Sequence, residues 1–184
     1  MNTWTSLAKG IGLCEMLRAE VQRNVTEAEV EEALAREKKS WSTSLAKRYG
    51  QKARRNILYA SVLHAFHRDP KARAEFGTVK AMFAYGYALF AEARARCAHS
   101  QIFMSGHAYN REKNAKGRLT PHPFQPSLDA KVPALGHVRG NIRIVCMFLN
   151  CTDCSRQDKF KSQRSNGDAP QQWTPALWKQ YVGL

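Results

Sequence analysis

The chain has 184 residues, enough for one domain with its own core and an added module. Hydrophobic residues make up 43% and charged residues 24%, ordinary values for a globular protein, yet Lys and Arg outnumber Asp and Glu by 29 to 15. The resulting net charge of +14 and pI near 9.9 argue for a polyanionic partner, DNA first with RNA as the alternative. An anionic membrane ranks behind, because no basic amphipathic helix stands apart from the rest. No apolar run reaches the roughly eighteen residues a membrane helix needs. The opening residues lack the basic start and apolar core of an export signal, so five cysteines read as reduced thiols in a cytoplasm.

Taken in order, Leu7, Ile11, Cys14, Leu17 and Val21 recur at helical spacing, broken by Gly10 and Gly12, and predict a helix over 13–23. Thr26 and Glu29 form a capping box, and Glu27, Glu31 and Glu32 favour the positive helix start. This helix is expected to run to about Lys39 and to lie on the surface, being polar nearly all round. Residues 40–68 read as one long helix bent near Gly50. Its basic run, Lys47, Arg48, Lys52, Arg54 and Arg55, is either a solvated face or a phosphate-contacting one. Asp69 and Pro70 are an N-cap and first-turn proline for a short helix that Gly77 ends. Thr78 caps the next, 79–96, where Val79, Met82, Phe83, Gly86, Leu89, Phe90 and Ala93 share an apolar face. That stripe is core rather than a base-stacking surface, and Gly86 implies close approach of another helix.

Cys97–Met104 has the look of a strand. Residues 105–124, with Arg111, Lys113, Lys116 and Arg118 among Gly, Asn and Pro, lack periodicity and read as a substrate-contacting or surface loop. Residues 127–129 form a short strand ending in a carboxylate. Pro133, Gly136 and Gly140 mark a tight connection. Ile142, Ile144 and Cys146, alternating with Arg143 and Val145, form a second strand, and residues 146–154 turn helical. Residues 155–170 read as a linker, and a short helix over 176–182 is anchored by Trp173, Leu177, Trp178 and Tyr181. Strand, loop, strand and helix bring Asp129 and Asn150 to one place, a pair of oxygen donors suited to Mg²⁺ or Mn²⁺.

The pattern SLD…LGHVRGNIRIVC…LN resembles the ββα-metal core of HNH (His-Me finger) endonucleases, especially the branch common in bacterial viruses, and the resemblance covers Cys97 to Cys154. The resemblance implies a mostly helical α+β protein: a helical part over 1–96 packed with a ββα-metal unit over 97–156, then a linker and docking helix over 157–184. It implies that Asp129 and Asn150 hold the metal, that Asn141 ties the loop and orients the base, and that the setting is a bacterial or phage-infected cell. One position departs from the family. Ala130 stands where relatives place the histidine base, and a methyl group takes no proton. His137 is the nearest imidazole and becomes the candidate base, with Lys131, His122 and His107 behind it. Arg139 or Arg143 would clamp a phosphate. Cys151 and Cys154 are half of a zinc knuckle; with no second pair in the sequence, buried thiols are the stronger reading than structural Zn²⁺. The expected activity is metal-dependent hydrolysis of DNA phosphodiester bonds. The competing expectation is a degenerate core that binds nucleic acid or a host protein without cutting.

Overall fold

The computed structural model of the chain describes residues 18–46, 57–104, 109–113, 119–121 and 124–151. Five helices fall wholly within them: α1 (Glu27–Ala46), α2 (Ile57–Arg68), α3 (Pro70–Phe76), α4 (Val79–Glu92) and α5 (Met147–Cys151). Two antiparallel hairpins complete the order, β1 (Tyr109–Lys113) with β2 (Leu119–Pro121), and β3 (Pro126–Ala130) with β4 (Ile142–Cys146). The fold is mostly helical α+β. The helix expected over 176–182 and the linker before it lie outside the described residues, as do residues 13–17 of the first, which is helical over 18–22 and has ended at Arg23.

The caps act as the sequence predicts. Thr26 N–H donates to Glu29 Oε2 at 2.9 Å and Glu29 N–H returns to Thr26 Oγ1 at 3.3 Å, closing the capping box that starts α1. Asp69 accepts from Lys71 N–H at 2.9 Å to start α3, and Thr78 accepts from Ala81 N–H at 3.1 Å to start α4. Gly77 ends α3 with φ of 66°, a left-handed conformation that suits glycine.

Three boundaries differ from expectation. Residues 40–46 continue α1 instead of opening the next helix; 47–56 are not described. α4 stops at Glu92, because Arg94 and Ala95 turn left-handed at φ of 50° and 56°. That turn folds 97–104 back, with Cys97 N–H donating to Ile102 O and Met104 N–H to Ala95 O. Ala95, Cys97, Ile102 and Met104 are all fully buried, so burial holds a turn that no glycine or proline announces. The predicted loop 105–124 contains the β1–β2 hairpin; Asn114 and Gly117 between two runs were its turn signal.

The core lies between α2, α4 and the β3–β4 hairpin. Leu58, Val62 and Phe66 of α2 meet Met82, Phe83 and Phe90 of α4, and Leu128, Ile142 and Ile144 close the cluster from the hairpin. Gly86 faces α2 and the hairpin, but a Cβ there would stand 3.6 Å from Val62 Cγ2 and 3.8 Å from Leu128 Cδ1, ordinary van der Waals contact, so the crossing is not close enough to demand a glycine.

α1 is not a surface helix. Val30, Ala33 and Glu37 form a buried stripe, and Glu37 is only 1% exposed. Glu37 Oε2 accepts from Leu58 N–H at 3.1 Å, serving an orphan donor at the start of α2. Burial, outweighing the bond from Leu58, raises its carboxyl from 4.5 to about 7. The folded state therefore holds this proton more tightly than the unfolded chain, so stability falls as pH rises from 4.5 through about 7. Glu37→Gln keeps an acceptor and should flatten that decline, by at most about 3 kcal/mol. Melting temperatures of the two proteins between pH 5 and pH 8, on the order of those limits, check this.

Candidate active site

The β3–β4 hairpin is two strands wide, so each strand has an edge whose backbone groups need partners. On the β3 edge, Leu128 N–H donates to Ser61 Oγ of α2 at 2.9 Å, and Leu128 O accepts from Asn150 Nδ2 at 2.6 Å. On the β4 edge, Ile144 O accepts from Ala98 N–H at 3.0 Å. The hairpin is thereby fixed to α2, α5 and the 97–104 turn without a third strand.

Asn141 ties the connection between the strands. Its Oδ1 accepts from Val132 N–H at 3.0 Å, and its Nδ2 donates to Val132 O at 2.9 Å and Gly136 O at 2.7 Å. The side chain is buried and clasps the backbone on either side of the 3₁₀ turn Pro133–Leu135. Asn141→Ala would strand these three backbone groups, a cost of roughly 2–4 kcal/mol from unmet bonds. Chemical denaturation should show that loss, with hydrogen exchange speeding up at 132–137 before the core.

That loop carries His137. Its backbone N–H donates to Asp69 Oδ2 at 2.6 Å and its ring Nδ1 lies 3.0 Å from the same oxygen. Burial pushes the Asp69 carboxyl up, but the bonds from His137 N–H, its ring and Lys71 N–H outweigh this and hold it below the usual value. An ionised carboxylate accepts only, so Nδ1 carries a proton, and in the neutral ring the lone pair falls on Nε2. Gly136 is required here: its φ is 73°, and a Cβ would sit 2.7 Å from Asp69 Oδ2. Asp69 was legible as a helix cap; nothing in the sequence marks its second bond, 68 residues away along the chain.

Arg139 is pinned beside this loop. Its Nε lies 3.2 Å from Glu75 Oε1, and its guanidinium stacks 5.0 Å from the Phe76 ring and 5.2 Å from the Tyr85 ring. Lys131 Nζ donates to Gly140 O at 2.8 Å. Both side chains brace the connection.

Asp129 and Arg143 face each other across the hairpin, with Asp129 Oδ2 2.6 Å from Arg143 Nε. The pair is largely buried, at 13% and 20% side-chain exposure. His99, absent from the sequence-based candidates, lies close enough to feel both charges. Burial, then the Arg143 cation, lowers it to about 4 against the pull of Asp129, so it is neutral at physiological pH. Its Nδ1 has no hydrogen-bond partner among the described residues. Asn150 stands over Ser127, its Nδ2 donating to Ser127 Oγ at 2.6 Å as well as to Leu128 O. Both amide protons are thus used, which leaves Oδ1 as the face for a ligand. Ser127 and Asp129 share one face of β3, about 7 Å apart along the strand.

Asp129, Asn150, His137 and Asp69 all line one cavity of about 860 Å³ between the hairpin and α2, with Ser61, His64, Arg68 and Lys71 on the helical side. Among the described residues no three His, Cys, Asp or Glu side chains cluster as metal ligands. Lys47, Arg48, Lys52, Arg54, Arg55, Lys116, Arg118, His107, His122 and Cys154 lie outside the described residues, as do the side chains of Arg111, Lys113 and Cys151. Cys97 and Cys146 are free and buried, Cys146 N–H donating to Cys97 Sγ at 3.2 Å. No described helix is long and apolar enough to cross a membrane. No protein-family model, curated protein or solved structure matches the chain.

Proposed function

We propose that this chain is a divalent-metal-dependent endonuclease of the HNH type that hydrolyses DNA phosphodiester bonds. The supporting observation is the gathering of Asp129, Asn150 and the Asp69–His137 pair around one cavity, although they come from four separate segments of the chain. Asp129 Oδ1, not engaged by the 2.6 Å contact to Arg143, and Asn150 Oδ1 are the two protein oxygens that fit Mg²⁺ or Mn²⁺, ions that complete their shell with water and phosphate. Such an ion, when bound, would polarise the scissile phosphate and ease departure of the 3′-oxygen. His137 Nε2 would take the proton of the attacking water, a task Ala130 cannot perform. Asp69 fixes the ring's tautomer, and Asn141 keeps the loop that carries it in place.

A second reading has its own observation. Arg143 occupies one oxygen of Asp129, and a hairpin locked by that ion pair suits a protein that binds nucleic acid without cutting it. Supercoiled plasmid incubated with Mg²⁺ or Mn²⁺, against chelator, separates the two. Nicked or linear product that depends on the ion supports the nuclease; salt-sensitive binding with no product under either ion leaves only the binder.

A further inference from the structure

The helical wall of the cavity has a character of its own. Of the residues that line it, the arginine and lysine are Arg68 and Lys71. Neither has a carboxylate within ion-pairing distance among the described residues. Arg139 and Arg143, by contrast, are paired to Glu75 and Asp129. Lys71 Nζ is committed to Ala134 O at 2.6 Å, which closes one rim of the cavity. Among the described residues Arg68 meets His64, one turn back on α2, with Nη1 and Nε2 3.5 Å apart. An exposed guanidinium and imidazole on one helix face, opening into a cavity and with no carboxylate within ion-pairing distance among the described residues, form a receptor for an oxyanion.

We infer that His64 and Arg68 form a phosphate subsite, which takes the phosphodiester next to the one that is cut. This rests on the nuclease reading for the identity of the neighbouring site. Ser61 of α2 is bonded to Leu128 N–H at the Asn150 end of the cavity; His64 and Arg68 lie three and seven residues on, about 4.5 and 10 Å along the helix. A strand laid along α2 can meet the Asn150 end with one phosphate and the His64–Arg68 pair with the next. The ligand chemistry is a polynucleotide phosphate, which an unpaired strand and a duplex both present.

The test is anisotropy of a labelled single-stranded oligonucleotide, and of the same sequence as duplex, titrated with intact protein in chelator so that no cleavage occurs. Arg68→Ala should weaken binding about tenfold and reduce the slope of log affinity against log salt by about 0.7 on single strands or 0.9 on duplex. Alanine is a strong helix former, so α2 should persist, and circular dichroism confirms it. Lys80→Ala, removing one exposed cation on α4 away from the cavity, should change binding less than twofold. A loss confined to single strands assigns the unpaired source, and an equal loss on duplex assigns the paired one; both sustain the subsite. Equal effects of Arg68→Ala and Lys80→Ala on both ligands, or no binding by the unaltered protein, overturn it. Plasmid cleavage scored beside binding keeps the two ideas apart. Binding that depends on Arg68 in a protein that never cuts retains the subsite and removes the nuclease. Cutting that ignores Arg68 does the reverse.

Discussion

On the proposed nuclease reading, Asp129→Ala should remove metal-dependent cleavage, by at least about 10³-fold, because Asp129 is the charged one of the two oxygen donors assigned to the ion among the described residues. The amide of Asn150 cannot compensate, since its orientation is set by its bonds to Ser127 and Leu128. The substitution also leaves the Arg143 guanidinium largely buried beside His99, so a fall in stability of about 1–3 kcal/mol should accompany it. Asp129→Asn separates these effects: it can still accept from Arg143 Nε across the strands, but it has lost the charge that holds a cation. Rates on plasmid and melting curves of both variants give the answer. A folded Asp129→Ala protein that cuts as fast as the unaltered one would remove Asp129 from the site.

The second large effect concerns the proton. His137→Ala should slow cleavage by about 10² to 10⁴-fold with little change in DNA binding. Asp69→Asn should slow it about 10²-fold, since an amide cannot enforce the tautomer that leaves Nε2 unprotonated. Asparagine is as good an N-cap as aspartate, so α3 should survive the change. Stability gives an independent reading. The Asp69 carboxyl is held below its ordinary 3.8, so its contribution is present above that pH and is lost as pH falls through the lower folded value. Melting temperatures of Asp69→Asn and the unaltered protein should therefore differ near neutrality and converge in acid below about pH 4. A gap that persists in acid would mean that the carboxylate does not bind as described.

Local signals in the sequence carried the local structure. Thr26 with Glu29, Asp69 with Pro70, Gly77 and Thr78 each fixed a helix start or stop within a few residues, because a cap is a contact between near neighbours. The alternation at Ile142, Ile144 and Cys146 placed β4, all three being buried. What escaped were contacts between distant parts of the chain. Glu37 looked like one more charge on a polar helix until Leu58 N–H gave it a reason to be buried. The reversal at Arg94 and Ala95 lacks a glycine because the buried 97–104 turn, not local preference, enforces it. For the candidate site, position came from the resemblance and support came from tertiary structure. Asp129, Asn141 and Asn150 were singled out by the resemblance, whereas the partner that gives His137 its orientation lies in a helix cap of the preceding segment.

That shared carboxylate ties two parts of the chain into one instrument. The start of α3 and the imidazole compete for no oxygen: Oδ1 serves the helix and Oδ2 serves the ring. A ββα piece excised from its helices would keep Asp129 and Asn150 yet lose the carboxylate that orients His137, so this arrangement could not be transplanted as a cassette. Whatever loosens the seat of α3 on the loop would also free the imidazole.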